Sequence, residues 1–468
     1  MSSLPGRWCA LGAACALLAC SPGGDAAGGE EGAVLLEGAR LVVGDGTVIE
    51  RGALLFEGGR ILAVGPADEI RVAGAARVDL SGRTVTPALV DAHAHLGYEG
   101  YTTWGADAYT RDNLIDHLER YAYYGFGTVL SAGTDPNDLA LDVQRAQARG
   151  EVGGARLVLA AGVAPPEQGP NDRFLREALA LEERTGQTIL RGVVTGDDAR
   201  AAVDEIASLG IPFVKIWVDD RGGTQRKLAP DLYRAIAAEA RAQGLGVLVH
   251  QQSVADVAGL LDAGVTGFLH GRLGPALDAR VAERIAGAGV FVVPNLGLSE
   301  LRGERIADDP FLAETLPPAV VARLGAAFDE RQAAAEAAPA DTARERELAE
   351  AMQRLLEAGV DIVLGTDAGV VPDHFFGYAG HRELEIFVRL GMSPAEAIVA
   401  ATGRAAERLG LDDTGTLAPG KRADLVVLAG NPLEDIRATR TIERVWLRGE
   451  EVDRAALRER WSRTPSAP

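Results

Sequence analysis

From about residue 85 to about residue 412 the chain alternates short apolar runs with amphipathic stretches, and no other feature of the sequence restricts its fold so much. Segments 125–132, 156–161, 213–218, 246–250, 266–270, 290–293 and 361–364 read as short buried strands, with 189–194 a further short one. Between them 138–149, 176–184, 199–209, 230–243, 254–263, 278–286 and 382–390 carry helical periodicity; the stretch at 230 opens on proline, as helix starts favour. A parallel strand reaches its neighbour only through a crossover, usually a helix. Repeated strand–helix units over about 300 residues therefore predict an α/β fold built as a (β/α)8 TIM-type barrel. A doubly wound open sheet is the competing architecture, but no helix opens on a glycine-rich phosphate loop.

The flanks have a different texture. Segments 34–36, 40–43, 53–56 and 60–64 near the start, and 424–428 and 442–447 near the end, are short strand-like runs. Gly44-Asp45-Gly46, Gly58-Gly59 and Gly430-Asn431-Pro432 separate some of them, as turns require. A small β-sandwich formed from both chain ends is expected, from 33–84 and 413–468, around a barrel over 85–412. One apolar strand is expected over 84–90, and a helical insert near 297–350, where the connection is too long for an ordinary loop.

Residues 1–20 read as an export signal. Arg7 precedes an apolar run over 8–18 that is too short to span a bilayer. The run ends in Leu17-Leu18-Ala19-Cys20, which resembles the lipobox of bacterial lipoproteins and makes Cys20 the expected lipidation site. Residues 21–32 are glycine-rich and suit a flexible tether. The expected location is the bacterial periplasm or cell envelope, with the membrane reached only through that anchor. Cys9, Cys15 and Cys20 are the chain's three cysteines, so a cysteine nucleophile or cysteine zinc site further on is excluded. Lys and Arg number 47 against 67 Asp and Glu, and a net charge of −20 repels phosphate backbones, which argues against a nucleic-acid partner. A homo-oligomer is compatible with the sequence.

Few residues carry the chemistry, and they sit at strand ends. His93 and His95, at i and i+2 of an extended segment, point the same way and can meet one ion. His250 and His270 each end an apolar run, one strand–helix unit apart, where barrel enzymes place catalytic groups. Asp367 follows the apolar run 362–364, a costly position for a charge unless it is paired or metal-bound; a helix N-cap is the alternative. Lys215 lies inside an apolar strand and is either a salt-bridge partner or a functional amine.

This order of residues resembles the amidohydrolase superfamily, and within it the imidazolonepropionase-like and prolidase-like group. The resemblance rests on His93-Ala94-His95, Lys215, His250, His270 and Asp367, and on 415–425 (GTLAPGKRADL), typical of the return into the sandwich. It implies two divalent ions, zinc expected, bridged by a carboxylated Lys215. His93, His95 and Asp367 would hold one ion, and His250 and His270 the other. Asp367 would move the proton while metal-activated hydroxide attacks an amide or peptide-like C–N bond, in a dipeptide or N-acyl amino acid.

Two departures bear on substrate choice. Gln251-Gln252 follows His250 where relatives often carry a small residue and a second His or Asn, and Lys215 leads into the acidic loop Asp219-Asp220. Candidate substrate contacts are Tyr98, Tyr101, Arg221 and His374; core packing is the alternative for the tyrosines, and a solvated loop charge for Arg221. His374 and His381 read as a solvent-facing helix start, and His117 as a surface histidine on a helix. Two other functions compete: a single-ion cyclic amidohydrolase or deaminase with unmodified Lys215, and a lipid-anchored binding protein without catalysis. The complete ligand set counts against the last.

Overall fold

A computed structural model describes residues 32–270, 276–335 and 342–463. The expected signal peptide, Cys20 and all but the last residue of the tether lie outside the described residues, as do 336–341 of the insert. Among the described residues no helix is long and apolar enough to cross a membrane.

The first five strands are β1 (Val34–Val42), β2 (Val48–Glu57), β3 (Arg60–Pro66), β4 (Ala76–Asp79) and β5 (Thr84–Pro87). Eight more come next: β6 (Leu89–Ala94), β7 (Phe126–Ala132), β8 (Arg156–Ala164), β9 (Leu190–Gly192), β10 (Phe213–Val218), β11 (Gly246–Gln251), β12 (Gly267–Leu269) and β13 (Phe291–Val293). The chain closes with β14 (Leu425–Leu428), β15 (Ile442–Leu447) and β16 (Glu450–Glu451).

Strands β6 to β13 form one parallel sheet in the order β13-β12-β11-β10-β8-β7-β6, and β9 pairs with the C-terminal end of β8. The chain at 361–364 closes the ring. Val292 N–H donates to Asp361 O at 2.9 Å on one side, and Ala92 N–H donates to Leu364 O at 3.0 Å on the other. The result is the expected barrel. Both faces of its strands are covered, so β6, β7, β10 and β12 are buried along their whole length, which explains why most of their residues are apolar or small. Helices pack outside and are capped by local chemistry. Thr195 and Ser393 form capping boxes with Asp198 and Glu396, and left-handed Gly186 and Gly264 end two helices.

The remaining strands form a mixed sheet in the order β16-β15-β14-β5-β1-β2-β3, so both chain ends contribute, as expected. Phe56 on β2 and Trp446 on β15 stand four strands apart in that order, about 19 Å if the sheet were flat. Their rings are 6.1 Å apart, so the sheet curls on itself. Leu36, Leu54, Leu425 and Val427 fill the fold.

Three expected boundaries move. The strand expected over 84–90 is two strands: β5 pairs with β1 and β14 in the mixed sheet, and β6 begins the barrel after Ala88. A proline at 87 ends the first, and Ala88 N–H donates to Asp424 O where the chain crosses between sheets. The helix Thr342–Glu357 belongs to the barrel wall, since it packs on the helix Ala279–Gly287 and Arg354 donates to Leu277 O. Finally, the helix Arg454–Arg463 leaves the mixed sheet. Its Trp461 donates to Asp116 on the helix Arg111–Tyr123 at 2.6 Å, because an indole this apolar needs the barrel's flank to cover it.

Candidate metal centre

The C-terminal ends of the barrel strands bring together the residues that the sequence singles out. His93 on β6 lies with its Nε2 3.4 Å from Asp367 Oδ1, and His95 Nε2 is 3.2 Å from the same atom. His270 Nε2 is 3.7 Å from Asp367 Oδ2. His93, His270 and Asp367 each offer a ligand atom within 4.8 Å of the other two. Lys215 Nζ, fully buried, is 3.4 Å from His93 Nε2. The His250 ring stacks edge-on to His270 at 4.4 Å.

Room for Lys215 comes from Gly133: a Cβ there would stand 2.7 Å from Lys215 Cβ. His270 and Asp367 adopt φ of 81° and 59°, a backbone region that costs non-glycine residues energy and that here turns both side chains inward just past their strands.

Burial sets the protonation. It holds the His93 and His270 imidazoles well below their ordinary range, and Lys215 and neighbouring imidazoles push the same way. Burial also lowers Lys215 to about 7, only partly opposed by Asp367. Burial alone would raise the Asp367 carboxyl, but the facing His93, His95 and Lys215 outweigh it and keep it ionised. The centre thus sets one carboxylate against the uncharged imidazoles of His93 and His270.

Several supporting residues escaped sequence reasoning. Asn295 Oδ1 accepts from His270 N–H at 3.2 Å and lies 2.9 Å from His93 Nδ1. An amide oxygen can only accept, so Nδ1 carries the proton and Nε2 presents its lone pair to the centre. Asn295 stands just past β13, the same strand-tip position as His270 after β12, and that placement was a usable signal. Thr134 Oγ1 lies 2.8 Å from His95 Nδ1, and Asp219 Oδ2 lies 3.1 Å from His250 Nε2. Asp91, fully buried, accepts from Tyr121 and Thr366 hydroxyls at 2.7 and 2.6 Å and from the His93 and Thr366 amides, tying β6 to the segment that bears Asp367.

Residues 84–452 match the Amidohydrolase family, and 52–73 match the bacterial imidazolonepropionase-like composite domain. The chain belongs to the amidohydrolase family. An imidazolonepropionase from Cereibacter sphaeroides is 31% identical over 386 residues, covering 79% of this chain and 86% of that protein. A putative prolidase from Bifidobacterium longum is 26% identical, with a TM-score of 0.66 over 92% of this chain and 99% of the other. A Xaa-Pro dipeptidase solved with methionine in its active site shares the fold at 23% identity, with a TM-score of 0.68 over 90% and 99%.

This amidohydrolase is therefore a metal-dependent hydrolase acting on C–N bonds, and its own residues fit a cation. Asp367 Oδ1 is buried and accepts no well-directed hydrogen bond, although two imidazole nitrogens face it. A buried carboxylate oxygen without a directed donor, faced by imidazole nitrogens, is the donor set that a divalent cation takes.

Other expectations need correction. His117 is buried, not on the surface: Gly97 N–H donates to its Nδ1 at 3.0 Å, and its Nε2 donates to Glu99 O at 2.8 Å. It braces the loop that comes after His95. His381 is also buried, with its Nε2 donating to Tyr124 O at 2.8 Å and its Nδ1 3.0 Å from Thr439 Oγ1, a partnership with the far side of the molecule. His374 is buried rather than solvent-facing. Tyr98 packs in the core on Phe174 at 4.7 Å and donates to Thr134 O at 2.7 Å. Tyr101 lies parallel to Phe375 at 6.0 Å with the Arg120 guanidinium over its ring at 3.9 Å, which again is core packing. Arg221 is not a solvated charge: it donates to Gly169 O at 2.9 Å and pairs with Asp219 at 3.1 Å, beside His250, and its charge helps lower Lys215 and His270.

Proposed function

We propose that the chain hydrolyses an amide or peptide-like C–N bond in a small molecule, of the dipeptide or N-acyl amino acid type, at a centre of two divalent ions. The observation that carries this reading is the buried Lys215 amine, 3.4 Å from His93 and lowered to about 7. An amine uncharged near neutral pH can add CO2, and the resulting carbamate supplies the oxygen ligands that a second ion needs. His93, His95 and Asp367 are assigned to one ion, His250 and His270 to the other, and zinc suits this nitrogen and oxygen set. Ions held by these residues would supply Lewis acidity toward a carbonyl and a water. Asp367 would take the water's proton as the water oxygen bonds to the carbonyl carbon, and would deliver it to the nitrogen as the C–N bond breaks. Asn295 and Thr134 hold His93 and His95 in orientation.

A second reading keeps one ion and an unmodified Lys215, and opens a cyclic amide. The imidazolonepropionase at 31% identity favours it. Metal analysis and reconstitution separate the two. The binuclear reading expects about two zinc ions per chain, bicarbonate-dependent reactivation of metal-stripped protein, and loss of at least one ion and most activity in Lys215→Ala. One ion per chain with reactivation indifferent to bicarbonate overturns it.

The same proposal includes export and acylation at Cys20. Labelling cells with an alkyne-tagged fatty acid should mark the wild type and not Cys20→Ser; labelling of both would remove Cys20 as the site.

A further inference from the structure

The loop after β10 holds one of the centre's histidines with a carboxylate. Lys215, Trp217 and Asp219 alternate along the chain, so the pleat that turns Lys215 into the barrel carries Asp219 to the same side just past the strand end. β11 runs parallel beside β10, with His250 opposite Trp217. That register brings Asp219 Oδ2 to 3.1 Å from His250 Nε2.

The carboxylate is itself held from behind. Its Oδ1 accepts from the Arg221 N–H at 3.0 Å, and its Oδ2 pairs with Arg221 Nη1 at 3.1 Å as well as with His250. The turn that allows this puts Arg221 at φ 54°, a region that a non-glycine residue enters at a cost. Arg221 Nη2 donates onward to Gly169 O at 2.9 Å, in the loop after β8. Gln225 stitches the same two loops: its Oε1 accepts from Gly169 N–H at 3.0 Å, and its Nε2 donates to Pro170 O at 2.9 Å and to Asp172 Oδ1 at 2.7 Å. The tips of β8, β10 and β11 are thereby joined by one bonded chain that ends on His250.

These contacts select a tautomer. A carboxylate oxygen only accepts, so in the uncharged ring Nε2 of His250 carries the proton and the lone pair is left on Nδ1. Gln252 Nε2, 3.4 Å from the same nitrogen, is too distant to compete. His93 and His95 are oriented by the uncharged side chains of Asn295 and Thr134, whereas His250 is oriented by a carboxylate, which makes an imidazole a stronger ligand.

We propose that Asp219, locked by Arg221, is the positioning residue of His250 and sets how tightly the second of two ions is held, leaving the first unaffected. The inference rests on the binuclear reading and deepens it. The acidic loop that follows Lys215 thus serves the metal centre.

Two measurements on the full chain test this. Asp219 is only half-buried at the barrel mouth, so its variants should fold. Zinc titration of metal-stripped protein against a chelator should give two steps in the wild type. Asp219→Ala should weaken one step about 10–100-fold and leave the other within about twofold. His250→Ala should remove that same step, and adding Asp219→Ala to it should cost nothing more, because Asp219 acts only through His250. Arg221→Gly keeps the left-handed turn without the guanidinium and should give a smaller loss in that step. The second measurement needs no metal. In stripped protein labelled with 15N-histidine, the His250 signal, identified by its absence from His250→Ala, should report the Nε2–H form. Asp219→Asn retains an acceptor and should preserve that form, and Asp219→Ala should give a mixture of both. An Nδ1–H ring in the wild type overturns the proposal, as do two zinc steps that are unchanged or fall equally in Asp219→Ala. A single zinc step in the wild type, with an Nε2–H preference that Asp219→Ala abolishes, would defeat the binuclear reading while upholding the hold of Asp219 on His250.

Discussion

Asn295→Ala is the sharpest test of how the centre is held. The side-chain oxygen serves two buried donors, His93 Nδ1 at 2.9 Å and His270 N–H at 3.2 Å, and alanine serves neither. Leaving one buried donor without a partner costs about 1–3 kcal/mol. Alanine at the left-handed φ of 53° adds about 1 kcal/mol. The metal-free protein should therefore lose about 3–5 kcal/mol of stability when these are summed with some relaxation. His93 also loses the contact that keeps its proton on Nδ1, and removing such a partner typically lowers metal affinity by about 10–100-fold. Chelator competition reads the affinity, and thermal melts of stripped protein read the stability. Asn295→Gly takes the same backbone freely and isolates the hydrogen-bond share. Asn295→Asp retains an acceptor for both donors and should recover most of the loss. An alanine variant within twofold of wild type in metal affinity, with an unchanged melt, would refute the assignment of Asn295 as the group that positions His93.

Three further outcomes are expected. His117 and His381 have folded-state values lowered by burial to about 4 and about 3, below the ordinary 6.5. Their contribution to stability is complete above about pH 6.5 and is lost as pH falls toward those values, so His117→Asn with His381→Asn should flatten the fall in melting temperature between pH 6.5 and 4. Glu383 runs the other way: burial raises it to about 8 while the amides of Leu296 and Gly297 donate to it at 2.8 and 2.7 Å. Its contribution is complete below about pH 4.5 and is lost as pH rises through 8, and Glu383→Gln should remove that alkaline-side slope; an unchanged melting profile would show that Glu383 is ionised throughout. Gly369 has φ 87°, and a Cβ there would collide with His95 O, so Gly369→Ala should displace the segment bearing Asp367 and lower metal content while circular dichroism stays native.

Local repetition is the part of this protein that the sequence by itself determined. Strands buried on both faces must be continuously apolar, and helices that cover them must be amphipathic, so the barrel was legible before any contact was known. A polar residue at the tip of such a strand stands out against that background, which is why His93, His95, His250, His270 and Asp367 could be named, and why Lys215 stood out inside β10. Burial of a histidine on a helix leaves no such mark. His117 and His381 look like surface residues in a one-dimensional pattern, and only partners 18 to 257 residues away satisfy and bury them. The same holds for Asn295, which gains its role from His93, 202 residues away. Residue type and spacing set which groups the centre contains; closure of the barrel decides which nitrogen faces inward and which buried groups find partners.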